Sequence, residues 1–125
     1  DWLAEVHDTH HPVASHLYYE DQKREARRRA REFVRVRLPK FLRHFARPDR
    51  TFSYVHLSLF QMIEGLRYAF PRAMQRLEPE ALTALHERVS KRRRLAAYLA
   101  SPRRIPFNRM GIFRHYPELD DPRSR

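Results

Sequence analysis

The chain has 125 residues, of which 42% are hydrophobic, enough for one domain with a hydrophobic core, and a net charge of +11. Because it has no cysteine, disulfides, thiolate nucleophiles and cysteine-ligated zinc are excluded. Two glycines against nine prolines are too few for a hairpin-rich β fold, so the composition favours helices joined at prolines. No apolar run approaches the length of a membrane span and no signal peptide is recognisable, so we expect a cytoplasmic protein without membrane contact.

The first segment predicts a helix over residues 1–17 that is interrupted near Pro12. One face of this helix repeats every four residues, at Trp2, Val6 and His10. Aromatic and aliphatic stripes at helical spacing usually pack in a core, and they can also form the wall of a pocket. Both interpretations stay open for this face.

The clearest predicted helix covers residues 22–45, where apolar side chains recur at helical spacing with arginines on the opposite side. Pro39 lies inside this pattern and should kink the helix rather than end it, because the apolar stripe continues in phase. After a polar connector at 46–51, Ser53 offers an N-cap for a helix that runs to about Phe70. That helix is apolar nearly all round, which predicts a place in the middle of a bundle.

Pro71 ends the central helix, and Pro79, between two glutamates, begins another. A last helical turn or two is predicted over residues 95–99. From residue 101 onward prolines and a glycine forbid regular structure, but the tail is too apolar to stay in solvent and should pack on the bundle. The prediction is one all-α domain over residues 1–125, a helical bundle with an irregular apolar C-terminal tail.

The positive charge is concentrated in residues 22–50 and 88–114, which raises the possibility of nucleic-acid binding through phosphate contacts. No helix-turn-helix spacing, zinc finger or ribonucleoprotein motif accompanies the arginines, and no aromatic follows them for base stacking. A solvated helix face is the preferred interpretation, and nucleic acid is an unlikely partner.

The histidines at positions 7, 10 and 11 have the spacing of metal ligands on one helix face. No third ligand is near in sequence and the zinc-protease pattern HExxH is absent, so we predict no metal site. No nucleophile elbow, phosphate-binding glycine loop or paired carboxylates are present either. The chain carries no complete catalytic site of its own.

The segment SYVHLSLFQ at residues 53–61 resembles the start of the central buried helix in the C-terminal domain of soluble glutathione transferases. Flanking segments fit the same family in order and spacing, at residues 5–12, 18–23, 37–42, 65–71, 97–101 and 106–113. The likeness is to bacterial members near the alpha, mu, pi and sigma classes. It covers nearly the whole chain and implies the C-terminal helical bundle of that family.

Two departures from the family pattern stand out. The capping-box aspartate that pairs with Ser53 in the family is His56 here, which should serve the helix start less well than a carboxylate. We therefore predict a less stable domain, and a higher melting temperature for His56→Asp. The connector at 46–51 is also shorter than the family's loop.

The resemblance also implies function. The family joins glutathione to small apolar electrophiles, and an N-terminal thioredoxin-like domain supplies the thiol-activating residue. We expect that domain to be missing here, and the isolated chain to be inactive. Asp8 resembles an acid that reaches the ammonium group of glutathione across a homodimer, and Arg37 an arginine that orients it. The implied co-substrate wall comprises Trp2, Val6, His10, Phe107 and Phe113, and ordinary core packing is the preferred alternative for the same residues.

A second hypothesis of a different class remains open. The same fold can serve as a non-catalytic module for dimerisation or for docking a partner. The sequence alone does not choose between this and the transferase.

Overall fold

The computed structural model describes residues 23–47 and 51–121, so the helix predicted over 1–17 lies outside the described residues. Within them there are helices and irregular segments and no strand, which confirms the all-α fold class. The helices are α1 (Lys23–Glu32), α2 (Leu38–Phe45), α3 (Tyr54–Ala69), α4 (Pro71–Leu77), α5 (Glu80–Ser90) and α6 (Arg93–Leu99), with a π-helical turn (Phe33–Arg37) between α1 and α2.

The long helix predicted over residues 22–45 continues past Pro39, as the phase of its apolar stripe indicates. The structure adds a π-helical turn directly before the proline, in which the Leu38 N–H bonds to the Phe33 carbonyl. Proline lacks an N–H and its ring crowds the carbonyl four residues earlier, so a widened turn there accommodates it. The stripe stays in phase across this turn and buries Phe33, Val34, Leu38, Phe41, Leu42 and Phe45.

The hydrophobic core is built around α3, as its apolar composition predicts. Helix α3 packs against α4 and α5, and the Phe33 ring of the long helix reaches Phe70 with 5.2 Å between ring centroids. Each large apolar side chain buried in this way contributes about 1.5–3 kcal/mol of transfer free energy. The buried apolar side chains of α3 are Leu59, Phe60, Met62, Ile63, Leu66 and Ala69.

The helix α4 was not predicted, because Pro71 reads from sequence as the end of α3. It is also the first residue of α4, a position where a proline costs no hydrogen bond. The free N–H groups of this short helix are bonded by the tail. The Asp120 carboxylate, only 2% exposed, accepts from the Arg72 N–H at 2.9 Å and the Ala73 N–H at 3.1 Å.

The irregular tail packs on the bundle, as its apolar composition predicts. Phe113 is buried against α3 at Gly65, where a Cβ atom on the glycine would overlap the phenylalanine ring. Farther along, Arg76 of α4 donates two hydrogen bonds to Asp121, at 2.8 and 3.1 Å. The tail therefore has a fixed path over α3 and α4.

The close approach of Phe113 makes Gly65 a site where one methyl group should matter. We expect Gly65→Ala to lower the free energy of unfolding by about 1–2 kcal/mol, because overpacking outweighs the helix propensity that alanine gains. Thermal and urea unfolding measure this.

The matched control is Gly111→Ala. Gly111 is exposed, its nearest neighbour would lie 4.0 Å from an added Cβ, and its φ is not positive. Its substitution should change stability by less than about 0.5 kcal/mol. Equal effects of the two substitutions would show that the Gly65–Phe113 contact does not constrain the fold.

Candidate functional site

The central helix α3 begins at a capping box formed by Ser53 and His56. Ser53 has extended backbone angles, φ −145° and ψ 175°, and its N–H donates to Nδ1 of His56 at 3.1 Å. The structure thus differs from the expectation that a histidine would bond the cap backbone poorly, because the imidazole supplies an acceptor where the family has a carboxylate.

The cost of His56 to stability comes from its other ring nitrogen, Nε2. Because Nδ1 accepts a hydrogen bond, the ring proton of the neutral imidazole belongs on Nε2. His56 is 2% exposed, and among the described residues its Nε2 is a buried atom with no hydrogen-bond partner. A stranded polar group of this kind costs about 1–3 kcal/mol.

A polar network joins α3 to α5 and to the tail. Glu64 of α3 accepts a hydrogen bond from Nε2 of His86 at 2.6 Å and another from Arg104 at 2.5 Å. The bond from His86 is the largest cause that holds the pKa of the Glu64 carboxyl below its ordinary value despite partial burial, and Arg104 adds a smaller effect in the same direction. The carboxylate is therefore kept ionised, and it links α3 to α5 and to the tail.

The network continues through Arg67. Its guanidinium donates to both carboxylate oxygens of Glu78, at 2.9 and 2.5 Å, and this bond raises the arginine's pKa. A third guanidinium nitrogen lies 3.1 Å from Nδ1 of His86. A guanidinium can only donate, so Nδ1 of His86 accepts from Arg67 and Nε2 donates to Glu64.

Of the residues implied to form a site, Asp8, Trp2, Val6 and His10 lie outside the described residues. Arg37 is exposed at the end of the π-helical turn. The structure brings Phe107 and Phe113 together, with 6.2 Å between ring centroids.

The two phenylalanines have different surroundings. Phe113 is 7% exposed and belongs to the core, which is the packing alternative that the sequence left open. Phe107 is half-buried and stacks on Tyr68, with 5.0 Å between the ring centroids. Of the two phenylalanines, Phe107 is thus the more exposed.

An open cleft of about 890 Å³ lies beside the start of α3. The guanidinium carbon of Arg92 lies 3.5 Å from the centroid of the Phe52 ring, which joins the start of α6 to the start of α3. The sequence shows the arginine run at the start of α6, but it does not show that Arg92 lies beside Phe52, forty positions earlier. The cleft is lined by Phe52, Leu57, Arg92, Arg93, Arg94, Leu95 and Tyr98.

In the described part of the chain, no group of three potential ligands among His, Asp and Glu is placed to hold a metal ion. The helices there are too short or too polar to cross a membrane.

Comparison with known families gives one finding. A family model described as "Glutathione S-transferase, C-terminal domain" matches residues 7–48 and 49–102. The two matched stretches include all of the described helices, and the second begins just before the capping box of α3. No curated protein matches the chain.

The capping box gives a stability test. His56→Asp should raise the free energy of unfolding by about 1 kcal/mol, because a carboxylate accepts the Ser53 N–H, faces the positive end of the helix and removes the stranded Nε2. His56→Asn is the matched control, since its amide oxygen can accept the same bond without charge, and its gain should be smaller. A melting temperature of His56→Asp equal to or below that of the parent protein would contradict this account.

The network around Glu64 gives a pH test. A carboxyl whose pKa is lowered by folding stabilises the fold above its unfolded pKa, and the contribution disappears as pH falls through the folded pKa. Glu64→Gln should therefore lower the free energy of unfolding near neutral pH, and the difference from the parent protein should shrink below the ordinary glutamate value of 4.5.

The control for this test is Glu32→Gln, which alters an exposed glutamate outside the network. Urea unfolding at a series of pH values should show almost no difference between this variant and the parent protein. A loss in Glu64→Gln that stays constant down to pH 3 would mean that ionisation of Glu64 does not hold the network.

Proposed function

The chain belongs to the family of glutathione S-transferase C-terminal domains, and from this membership we propose that it is the helical half of a glutathione transferase. In this role it lines the site where a small apolar electrophile meets the thiol of glutathione. The observation that carries the proposal is the family match over residues 7–48 and 49–102. The capped central helix and the tail packed across it support the proposal.

The co-substrate wall is proposed to be centred on Phe107. The half-buried Phe107 ring stacks on Tyr68 and meets the edge of Phe113 at an interplanar angle of 82°. These two contacts give the ring one orientation, which suits a flat apolar ligand. Phe113, being part of the core, supports Phe107, and Trp2, Val6 and His10 complete the wall in the proposal.

Thiol activation is assigned to a different domain. Conjugation requires a donor beside the glutathione sulfur that favours the thiolate. The proposal gives this task to a thioredoxin-like domain of a complete enzyme, which would be a cytoplasmic homodimer. Asp8 would bind the ammonium group of glutathione across the dimer, and Arg37, exposed at the end of the π-helical turn, would orient that contact.

The test compares two proteins. The chain alone should conjugate glutathione to an aryl halide no faster than the uncatalysed reaction, whereas a protein that joins it to a thioredoxin-like domain of the family should turn over. In the joined protein, Asp8→Ala should raise KM for glutathione roughly tenfold, because a hydrogen bond to a charged group is lost, with little change in KM for the aryl halide.

Glu5→Ala is the control, because it removes an acid from the same predicted helix without the proposed contact. An unchanged KM in Asp8→Ala would remove Asp8 from the site. A joined protein that folds and binds glutathione without turnover would favour the non-catalytic module.

A further inference from the structure

The side of the long helix that faces away from the core carries much of its positive charge. Ala26 and Ala30 mark the core side of α1 and are fully buried, and arginines spaced by three or four residues lie on the opposite side. The same relation holds beyond the π-helical turn, because the buried stripe of α2 continues that of α1. This line of exposed cations, the cationic ridge, comprises Arg24, Arg28, Arg31, Arg35, Lys40 and Arg43.

Most of the cationic ridge has no negative charge to neutralise it. Glu25 and Glu32 are the only acids between residues 24 and 47, and Glu25 pairs with Arg28. Within the described part of the chain the other members of the ridge form no ion pair, whereas Arg67 and Arg104 in the bundle each bond a carboxylate. A row of unpaired guanidinium groups attracts anions, and each can offer two parallel N–H groups to a phosphate.

The dimensions of the cationic ridge match those of a DNA duplex. Arg24 and Arg43 are nineteen positions apart, which corresponds to roughly 28 Å along a helix. One turn of B-form DNA is about 34 Å long, and its major groove, about 12 Å wide, admits an α-helix. The duplex carries one negative charge for about every 1.7 Å of its axis. The ridge is therefore long enough to contact phosphates over most of one turn.

The neighbours of the ridge argue against other anionic partners. A helix that lies on a membrane turns a broad apolar face to the lipid, but the apolar face of this helix is in the core. Val36, 59% exposed, is the only large hydrophobic residue exposed within residues 24–47. Single-stranded nucleic acids are bound by stacking bases on exposed aromatic rings, and the phenylalanines of this helix are all buried. The major groove of an RNA duplex is too narrow for protein side chains to enter.

We propose that the cationic ridge binds the phosphate backbone of duplex DNA independently of its base sequence. The motifs whose absence argues against a nucleic-acid partner in the sequence serve to recognise or stack bases, and a contact to the backbone alone does not use them. The ridge shares no residue with the proposed co-substrate wall and does not include Arg37. The proposal therefore does not depend on the transferase role.

The first experiment measures the fluorescence anisotropy of a labelled DNA duplex, about two helical turns long, as the purified protein is added. Two duplexes of unrelated sequence should bind with affinities within about twofold of each other, because the backbone carries no sequence information. The slope of log affinity against log salt should be about −4 to −5 if five ridge cations contact phosphates. An RNA duplex and single-stranded DNA of the same length should bind at least about fivefold more weakly.

The second experiment places the contact on the ridge. The double substitution Arg31→Gln and Arg35→Gln should weaken DNA binding about tenfold or more and bring the salt slope about 2 closer to zero, since two phosphate contacts are lost. Arg88→Gln with Arg103→Gln is the matched control, because it removes two exposed arginines of α5 and the tail and changes the net charge equally. It should leave the slope unchanged. Far-ultraviolet circular dichroism confirms that each variant is folded.

Three results would overturn the proposal. These are an equal loss of affinity in the two double variants, a salt slope that the ridge substitutions do not change, and an RNA duplex bound as tightly as DNA. Absence of DNA binding, together with ridge-dependent retention on vesicles of phosphatidylcholine and phosphatidylserine in equal parts, would overturn it in favour of a membrane surface. All are measured without turnover, so a failure of the transferase test leaves this result unaffected, and the reverse also holds.

Discussion

The burial of α3 is the constraint on which the rest of the fold depends. A helix that is apolar nearly all round needs neighbours on every side, and its first turn leaves backbone N–H groups that have no partner within the helix. The capping box of Ser53 and His56 provides for this first turn by bonding the backbone at the helix start. The same histidine supports Phe52, so the device that begins the helix also shapes the cleft beside it.

The tail is the second structural requirement, although it has no regular structure of its own. It is attached to the bundle by three kinds of contact: Phe113 against Gly65, Arg104 with Glu64, and Asp120 at the first turn of α4. Each contact stabilises a helix as well as the tail. The buried carboxylate of Asp120, for example, occupies a place that a local cap residue fills in most helices. Phe107 lies between these attachments, which fixes its position against Tyr68.

Much of the helical layout follows from local patterns in the sequence. Ser53 and Pro71 mark the limits of α3, and the phase of the apolar stripe carries the long helix through Pro39, because both signals act within one or two turns. The features that were not predicted depend on distant partners. Asp120 caps α4 at Arg72, which lies 48 positions earlier in the chain. Arg104 donates a hydrogen bond to Glu64, which lies 40 positions earlier. No local pattern encodes such pairs, so α4, the network and the cleft emerge only when the helices are packed.

The packed structure also changes the meaning of the positive charge. Taken from the sequence alone, the net charge of +11 suggests one basic surface for phosphate binding. In the fold, Arg67, Arg76 and Arg104 are committed to carboxylates, and Arg92 to an aromatic ring. A guanidinium that is paired inside the protein cannot also replace counterions on a polyanion without breaking that pair. The arginines that remain available are thus fewer than the composition suggests; they include exposed residues of α1, such as Arg24, and Arg93 and Arg94 at the cleft.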